Sequence, residues 1–170
     1  MSDPKALSVV IPAFNEEARL PTTLERILPY LRGRGETFEV VVVDDGSKDR
    51  TAEIAAAAAP EVRVIKNPGN RGKGYSVRNG MLSACGAFRL MCDADLSTPI
   101  EELERLKAAL GTDGGVAIAS RALAGANLEK RQSAAREGSG RFFNLLVRIL
   151  HLPDIHDTQC GFKLFSKAAS

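Results

Sequence analysis

The sequence predicts an α/β fold with a mostly parallel central sheet covered by helices, on three observations. Short β-branched runs alternate with longer helical patterns from the start of the chain. The runs are apolar throughout, as strands covered on both faces are. The unusual polar residues collect directly after the runs: PAFNE after the first, DDGS after the second, NPGNRGKG after the third and DAD after the fourth. Ligands bind beyond the carboxyl ends of the strands in such sheets, so one rim is expected to be a binding site.

In chain order, LSVVIPAF (7–14) reads as a buried strand and EEARLPTTLERILPYLRG (16–33) as a helix adjusted at Pro21. FEVVVVDDGS (38–47) is the clearest strand, four valines running into two acids and a glycine turn. RTAEIAAAAA follows as a helix, with Ser47 or Asp49 as its expected N-cap. VRVIKN (62–67) is a third strand and KGYSVRNGMLSACG (73–86) a third helix. FRLMCD (88–93) is a fourth strand, after which Thr98, Pro99 and Glu101 have the spacing of a capping box opening a helix. GVAIAS (115–120) completes the pattern as a fifth strand.

The chain of 170 residues is read as one domain, long enough to bury a real core. Its hydrophobic content of 44% and charged content of 26% are ordinary for a globular protein. A formal charge of +2 gives no global argument for nucleic-acid binding. Cys85, Cys92 and Cys160 lie far apart, which fits free thiols in a reducing compartment better than a disulfide framework. No apolar run approaches the roughly 20 residues of a membrane-spanning helix, and the N-terminus lacks a signal-peptide layout. The expectation is a cytoplasmic protein, with peripheral contact at the cytoplasmic face of a membrane left open.

The rim residues carry the chemistry. In an extended segment Asp93 and Asp95 would share a face, and two close carboxylates repel unless a positive group sits before them. Magnesium typically takes one or two carboxylates plus substrate phosphates, which this pair meets, with the Ser97 hydroxyl as a supplement. The blander reading is that Asp93 caps the strand and Asp95 the following helix. Their place on the rim favours the metal. DDGS (44–47) could hold a ribose or base edge, or be simply an acidic turn. KNPGNRGKG (66–74) offers three glycines with Lys66, Arg71 and Lys73 among them, suited to phosphate or to solvent, and is not a Walker A loop. His151 and His156 read as surface residues and Cys160 as a small buried one. Phe142, Leu145, Leu146 and Ile149 share a helical face within FFNLLVRILHL (142–152), read as packing on the sheet.

Taken in order, SVVIPAFNEE, VVVDDGSKDRT, NRGKG, DADLSTP and DTQCGFKLF resemble the inverting GT-A (Rossmann-like) glycosyltransferases of family 2. Within that family they look like the polyprenyl- and dolichyl-phosphate sugar synthases, the β-glucosyltransferase branch in particular. The resemblance implies a three-layer fold and transfer of a hexose from a nucleotide sugar, UDP-glucose before GDP-mannose, to a polyprenyl or dolichyl phosphate. It implies that Pro12, Ala13, Phe14 and Glu16 line the nucleoside pocket and that Asp44 and Asp45 contact base or ribose. Arg71 and Lys73 would lie near the donor. Asp93 and Asp95 would hold Mg²⁺ or Mn²⁺ on the diphosphate, Asp95 thereby taking part in catalysis. Asp157 matches the candidate catalytic acid, and Arg121 and Arg131 match basic positions near the acceptor phosphate.

If the acceptor is a phosphate monoester, its second pKa of about 6 leaves it largely dianionic at neutral pH, and no proton need be removed. Asp157 would then orient groups or stabilise positive character at the sugar carbon, whereas a hydroxyl acceptor would require a general base. Two departures from the family bear on the acceptor. The family usually continues beyond the DTQCGF region, so the chain is expected to be C-terminally truncated relative to it. SAAREGSG (133–140) is small and polar where relatives tend to be bulky. The competing expectations are therefore a soluble hydroxyl acceptor, or a nucleotide-sugar-binding domain with little activity. A nucleotidyltransferase is disfavoured because PAFNEE is acidic where a glycine-rich, basic signature would stand.

Overall fold

The computed structural model describes residues 5–111, 114–119 and 160–169. Strands β1 (Lys5–Ala13), β2 (Phe38–Asp44), β3 (Val62–Lys66), β4 (Gly86–Cys92) and β5 (Val116–Ile118) are interleaved with helices α1 (Leu20–Gly33), α2 (Thr51–Ala58), α3 (Lys73–Ser83) and α4 (Glu102–Leu110). A further strand, β6 (Phe162–Ser166), leads into a short 3₁₀ turn (Lys167–Ala169). The sheet order is β3-β2-β1-β4-β6-β5. β1 to β4 pair in parallel, and β6 runs antiparallel to both β4 and β5. The parallel core matches expectation; the antiparallel β6 between β4 and β5 was not foreseen.

The valine run shows how the layers arise. Successive side chains on a strand face opposite ways, so Val40 and Val42 join the larger core with Leu24, Ile27 and Leu31 of α1, Ala55 of α2 and Leu103 of α4. Val41 and Val43 join the smaller core with Val10 and Met81 of α3. All four valines are fully buried, each contributing on the order of 1.5–3 kcal/mol. Gly80 lets α3 lie close to the sheet: a Cβ there would stand 2.4 Å from Val10 Cγ1 and 2.8 Å from Val43 Cγ2. Helices α1, α2 and α4 therefore cover one face and α3 the other.

Several boundaries depart from the sequence reading. Helix α1 opens at Leu20 with Pro21 in its first turn, where the missing N–H would be unpaired anyway. Residues 16–19 form a preceding turn closed by the Arg19 and Leu20 amides on the Glu16 carbonyl. Helix α2 has Arg50 at its N-cap position, while the Asp49 carboxylate one residue earlier accepts the Thr51 N–H at 3.0 Å. The Thr98–Pro99–Glu101 box does not open α4. That helix starts at Glu102 after successive three-residue turns over Pro99, Ile100 and Glu101, with burial of Ile100 setting the entry.

Candidate functional site

Parallel register brings the carboxyl ends of the first three strands level, Ala13 beside Asp44 and Asp44 beside Lys66. The loops beyond them are tied together. Asn15 N–H donates to Ser47 Oγ and Lys48 N–H to Asn15 Oδ1, both at 2.9 Å. Glu16 N–H donates to Thr51 Oγ1 at 2.8 Å, and Glu17 N–H to Asp49 Oδ2 at 3.1 Å. Asn15 sits at φ +54°, a conformation its short polar side chain tolerates. Pro12 is half-buried, Ala13 buried, and Phe14 41% exposed at the mouth.

The DDGS turn is tied to the basic loop through Asp45. Its Oδ1 accepts Asn67 Nδ2 at 2.7 Å and the Arg71 N–H at 3.0 Å; its Oδ2 accepts the Gly72 N–H at 2.7 Å. Asn67 is held in turn, donating to Ser76 Oγ at 2.9 Å and accepting Asn79 Nδ2 at 2.8 Å. Burial works against the Asp45 carboxylate, but these donors together with Ser76 outweigh it and hold its pKa below the ordinary range. Gly46, at φ +78°, lies against the same loop, where a Cβ would stand 2.7 Å from the Gly69 carbonyl carbon. Asp45, expected against base or ribose, thus has both oxygens engaged by the loop that carries Arg71 and Lys73. Asp44 Oδ1 accepts the Ser47 N–H at 3.1 Å.

Asp93 and Asp95 lie past the end of β4, in a turn rather than an extended segment. Leu96 N–H closes that turn on the Asp93 carbonyl at 3.0 Å, with Leu96 at φ +44°. Asp95 is exposed, and its Oδ1 accepts the Ser97 N–H at 3.1 Å. Strand alternation therefore does not relate the two carboxylates. The positive group facing Asp93 is Lys73, whose Nζ stands 2.6 Å from Asp93 Oδ1. The basic loop and the acidic turn meet at this ion pair. Arg71 lies over the Tyr75 ring, 5.6 Å from guanidinium carbon to ring centroid, and both side chains are exposed.

Among the described residues no group of three or more His, Cys, Asp or Glu side chains is placed to hold a metal ion. One or two carboxylates are nonetheless what magnesium typically takes from a protein, and the Lys73 ammonium shows that Asp93 accommodates a cation. Cys160 is buried, its thiol donating to the Ala119 carbonyl. Asp157, Arg121, Arg131, His151, His156 and the segments 133–140 and 142–152 lie outside the described residues. Sequence reasoning passed over Asn67, Ser76, Tyr75 and Gly161. For Tyr75 the signal is an aromatic ring directly after the basic stretch KNPGNRGKG, in the first turn of α3; for Gly161, a glycine just ahead of a strand that was itself missed.

The fold and its rim define a GT-A domain. Solved structures of glucosyl-3-phosphoglycerate synthase from Mycobacterium tuberculosis share it, one with phosphoglyceric acid at TM-score 0.69 and 21% identity, covering 96% of this chain and 57% of that one. Another, in complex with Mn²⁺, UDP and glucosyl-3-phosphoglycerate, matches at TM-score 0.69 and 21% identity over the same shares. Residues 8–170 match the model of glycosyl transferase family 2, and the chain belongs to that family. It is 40% identical over 189 residues to the dolichyl-phosphate beta-glucosyltransferase of Homo sapiens, which covers 99% of this chain and 57% of that protein. The Saccharomyces cerevisiae protein of the same name is 36% identical over 184 residues, 96% and 55% respectively. The chain thus spans little more than half the length of these curated relatives. No helix among its described residues is long and apolar enough to cross a membrane.

Proposed function

We propose that this chain is the donor-binding part of an inverting glycosyltransferase that moves glucose from UDP-glucose to a dolichyl or polyprenyl phosphate, using Mg²⁺ or Mn²⁺. The observation that carries the reading is the Lys73–Asp93 pair, which joins a basic, glycine-rich loop to an acidic turn at the carboxyl ends of parallel strands. Similarity to the dolichyl-phosphate beta-glucosyltransferases supports the sugar and the acceptor; the fold shared with a UDP- and Mn²⁺-bound synthase supports the donor and the ion.

In this reading Pro12, Ala13, Phe14 and Glu16 flank the nucleoside, with Asp44 at its base or ribose. Asp45 serves the donor indirectly, by fixing the loop that presents Arg71 and Lys73. Asp93 and Asp95 would hold the divalent ion, which when bound supplies Lewis-acid stabilisation of the departing diphosphate. Lys73, paired with Asp93, would also meet that diphosphate, and Arg71 would add a planar cation suited to phosphate oxygens. Asp157 would orient the acceptor rather than deprotonate it, and Arg121 and Arg131 would meet the acceptor phosphate. Asp157→Asn is accordingly expected to retain measurable turnover with a phosphate acceptor; complete loss with unchanged donor binding would return Asp157 to the role of base.

The test is calorimetric titration with UDP, with and without Mn²⁺, followed by transfer of labelled glucose from UDP-glucose to dolichyl phosphate in detergent. Tighter UDP binding with Mn²⁺, abolished by Asp95→Ala, is expected. UDP affinity indifferent to both would remove the metal assignment. Binding without transfer to any prenyl phosphate would reduce the chain to a nucleotide-sugar-binding domain.

A further inference from the structure

Gly161 is the residue against which the Asp93 carboxylate rests. The Asp93 N–H donates to the Gly161 carbonyl at 3.0 Å, extending the antiparallel ladder of β4 and β6 one step past the pair Cys92 and Phe162. A Cβ on Gly161 would stand 1.9 Å from Asp93 Oδ2, 2.5 Å from its Cγ and 3.1 Å from Oδ1. The carboxylate therefore occupies the space that any side chain at 161 would take. Backbone conformation does not require this glycine, since it is absent from the positions with left-handed φ. The three nearest atoms that a Cβ would meet all belong to Asp93.

These facts decide where a substitution would be felt. Cys160 and Phe162 on either side are buried, at 7% and 1% exposure, and β6 is hydrogen-bonded to strands on both edges. The backbone at 161 is thus pinned, whereas the Asp93 carboxylate is the end of a half-buried side chain that can rotate. Rotation would carry Oδ1 away from Lys73, now 2.6 Å distant. We infer that Gly161 is a positioning residue for the metal-binding carboxylate: its missing side chain seats Asp93 in the orientation that addresses the rim. The inference rests on the functional reading above and adds to it a reason for the glycine in DTQCGF.

The experiment compares UDP affinity in Mn²⁺ and in EDTA for the wild-type chain and Gly161→Ala, with a thermal melt of each. Gly161→Ala is expected to fold, to bind UDP in EDTA as the wild type does, and to lose about 10- to 100-fold of the Mn²⁺-dependent affinity, the range typical when a metal ligand loses its support. An equal Mn²⁺ response in the variant would overturn the inference and leave the functional reading standing. A uniform loss with and without metal would show that Gly161 serves the fold rather than Asp93, and also overturns it. A wild type that ignores Mn²⁺ would sink the functional reading and the inference with it. If Gly161→Ala fails to fold, the double variant Asp93→Ala/Gly161→Ala decides: folding restored by removing the carboxylate supports the inference, and continued misfolding overturns it.

Discussion

Asp45→Ala should destabilise the chain by about 3 kcal/mol and loosen the basic loop. A hydrogen bond to a charged group contributes about 1.5–3 kcal/mol, and Asp45 accepts from Asn67, Arg71 and Gly72. The plain sum overshoots, because the donors differ in what they would do without it. Asn67 is buried but keeps its bond to Ser76, and Arg71 is an exposed residue whose part-buried amide water can reach once the carboxylate is gone. Gly72 is half-buried and its amide has no second acceptor among the described residues, so most of the loss falls there and on the emptied carboxylate site. Asp45→Asn keeps the volume and one acceptor oxygen, and should lose about half as much if that oxygen stays on the Gly72 amide and the amide nitrogen faces Asn67 and Arg71. Urea denaturation measures the loss, and hydrogen exchange at the Arg71 and Gly72 amides reports the loop. A loss below about 1 kcal/mol, or unchanged protection of both amides, would refute the clamp.

The remaining predictions concern charge and packing. Burial opposes the Asp45 and Glu39 carboxylates, yet their hydrogen-bond donors hold both pKa values below the ordinary range. That stability is fully present above the unfolded carboxylate values near ~4 and is lost as pH falls through the lower folded values. Denaturant midpoints should therefore hold above that range and drop below it, more shallowly in Asp45→Asn; an unchanged slope would exclude Asp45 as a contributor. Lys73→Met removes a cation that competes for Asp93, so Mn²⁺ alone should bind about 2- to 5-fold tighter, the limit set by a half-exposed pair worth at most ~1 kcal/mol. The same variant should bind UDP with Mn²⁺ more weakly, and calorimetry giving both changes the same sign would contradict this dual role. Gly80→Ala forces a methyl into Val10 and Val43 and should destabilise by about 1–3 kcal/mol; an unaltered melting temperature would show that α3 can lift from the sheet without penalty.

The layers were legible because their causes are local. Four consecutive valines can scarcely be anything but a strand buried on both faces, and the residues after each run lie at one rim whenever the strands are parallel. Hence Asp44, Arg71, Lys73 and Asp93 could be placed on that rim from order and chemistry alone. What escaped depends on partners distant in the chain. FKLFS is as long as β3, yet only its pairing with β4 and β5 marks it as a strand. Spacing of two suggested that Asp93 and Asp95 share a strand face, but the ladder ends where the chain turns at Leu96. Asp45 resembles its neighbour in sequence, yet the fold turns it onto a loop more than twenty residues ahead. Periodicity and propensity are properties of neighbouring residues, so the chain declares its strands, helices and binding edge by itself. Which carboxylate faces a ligand, which holds a loop and which rests on a bare glycine is decided by contacts that exist only once the sheet has assembled.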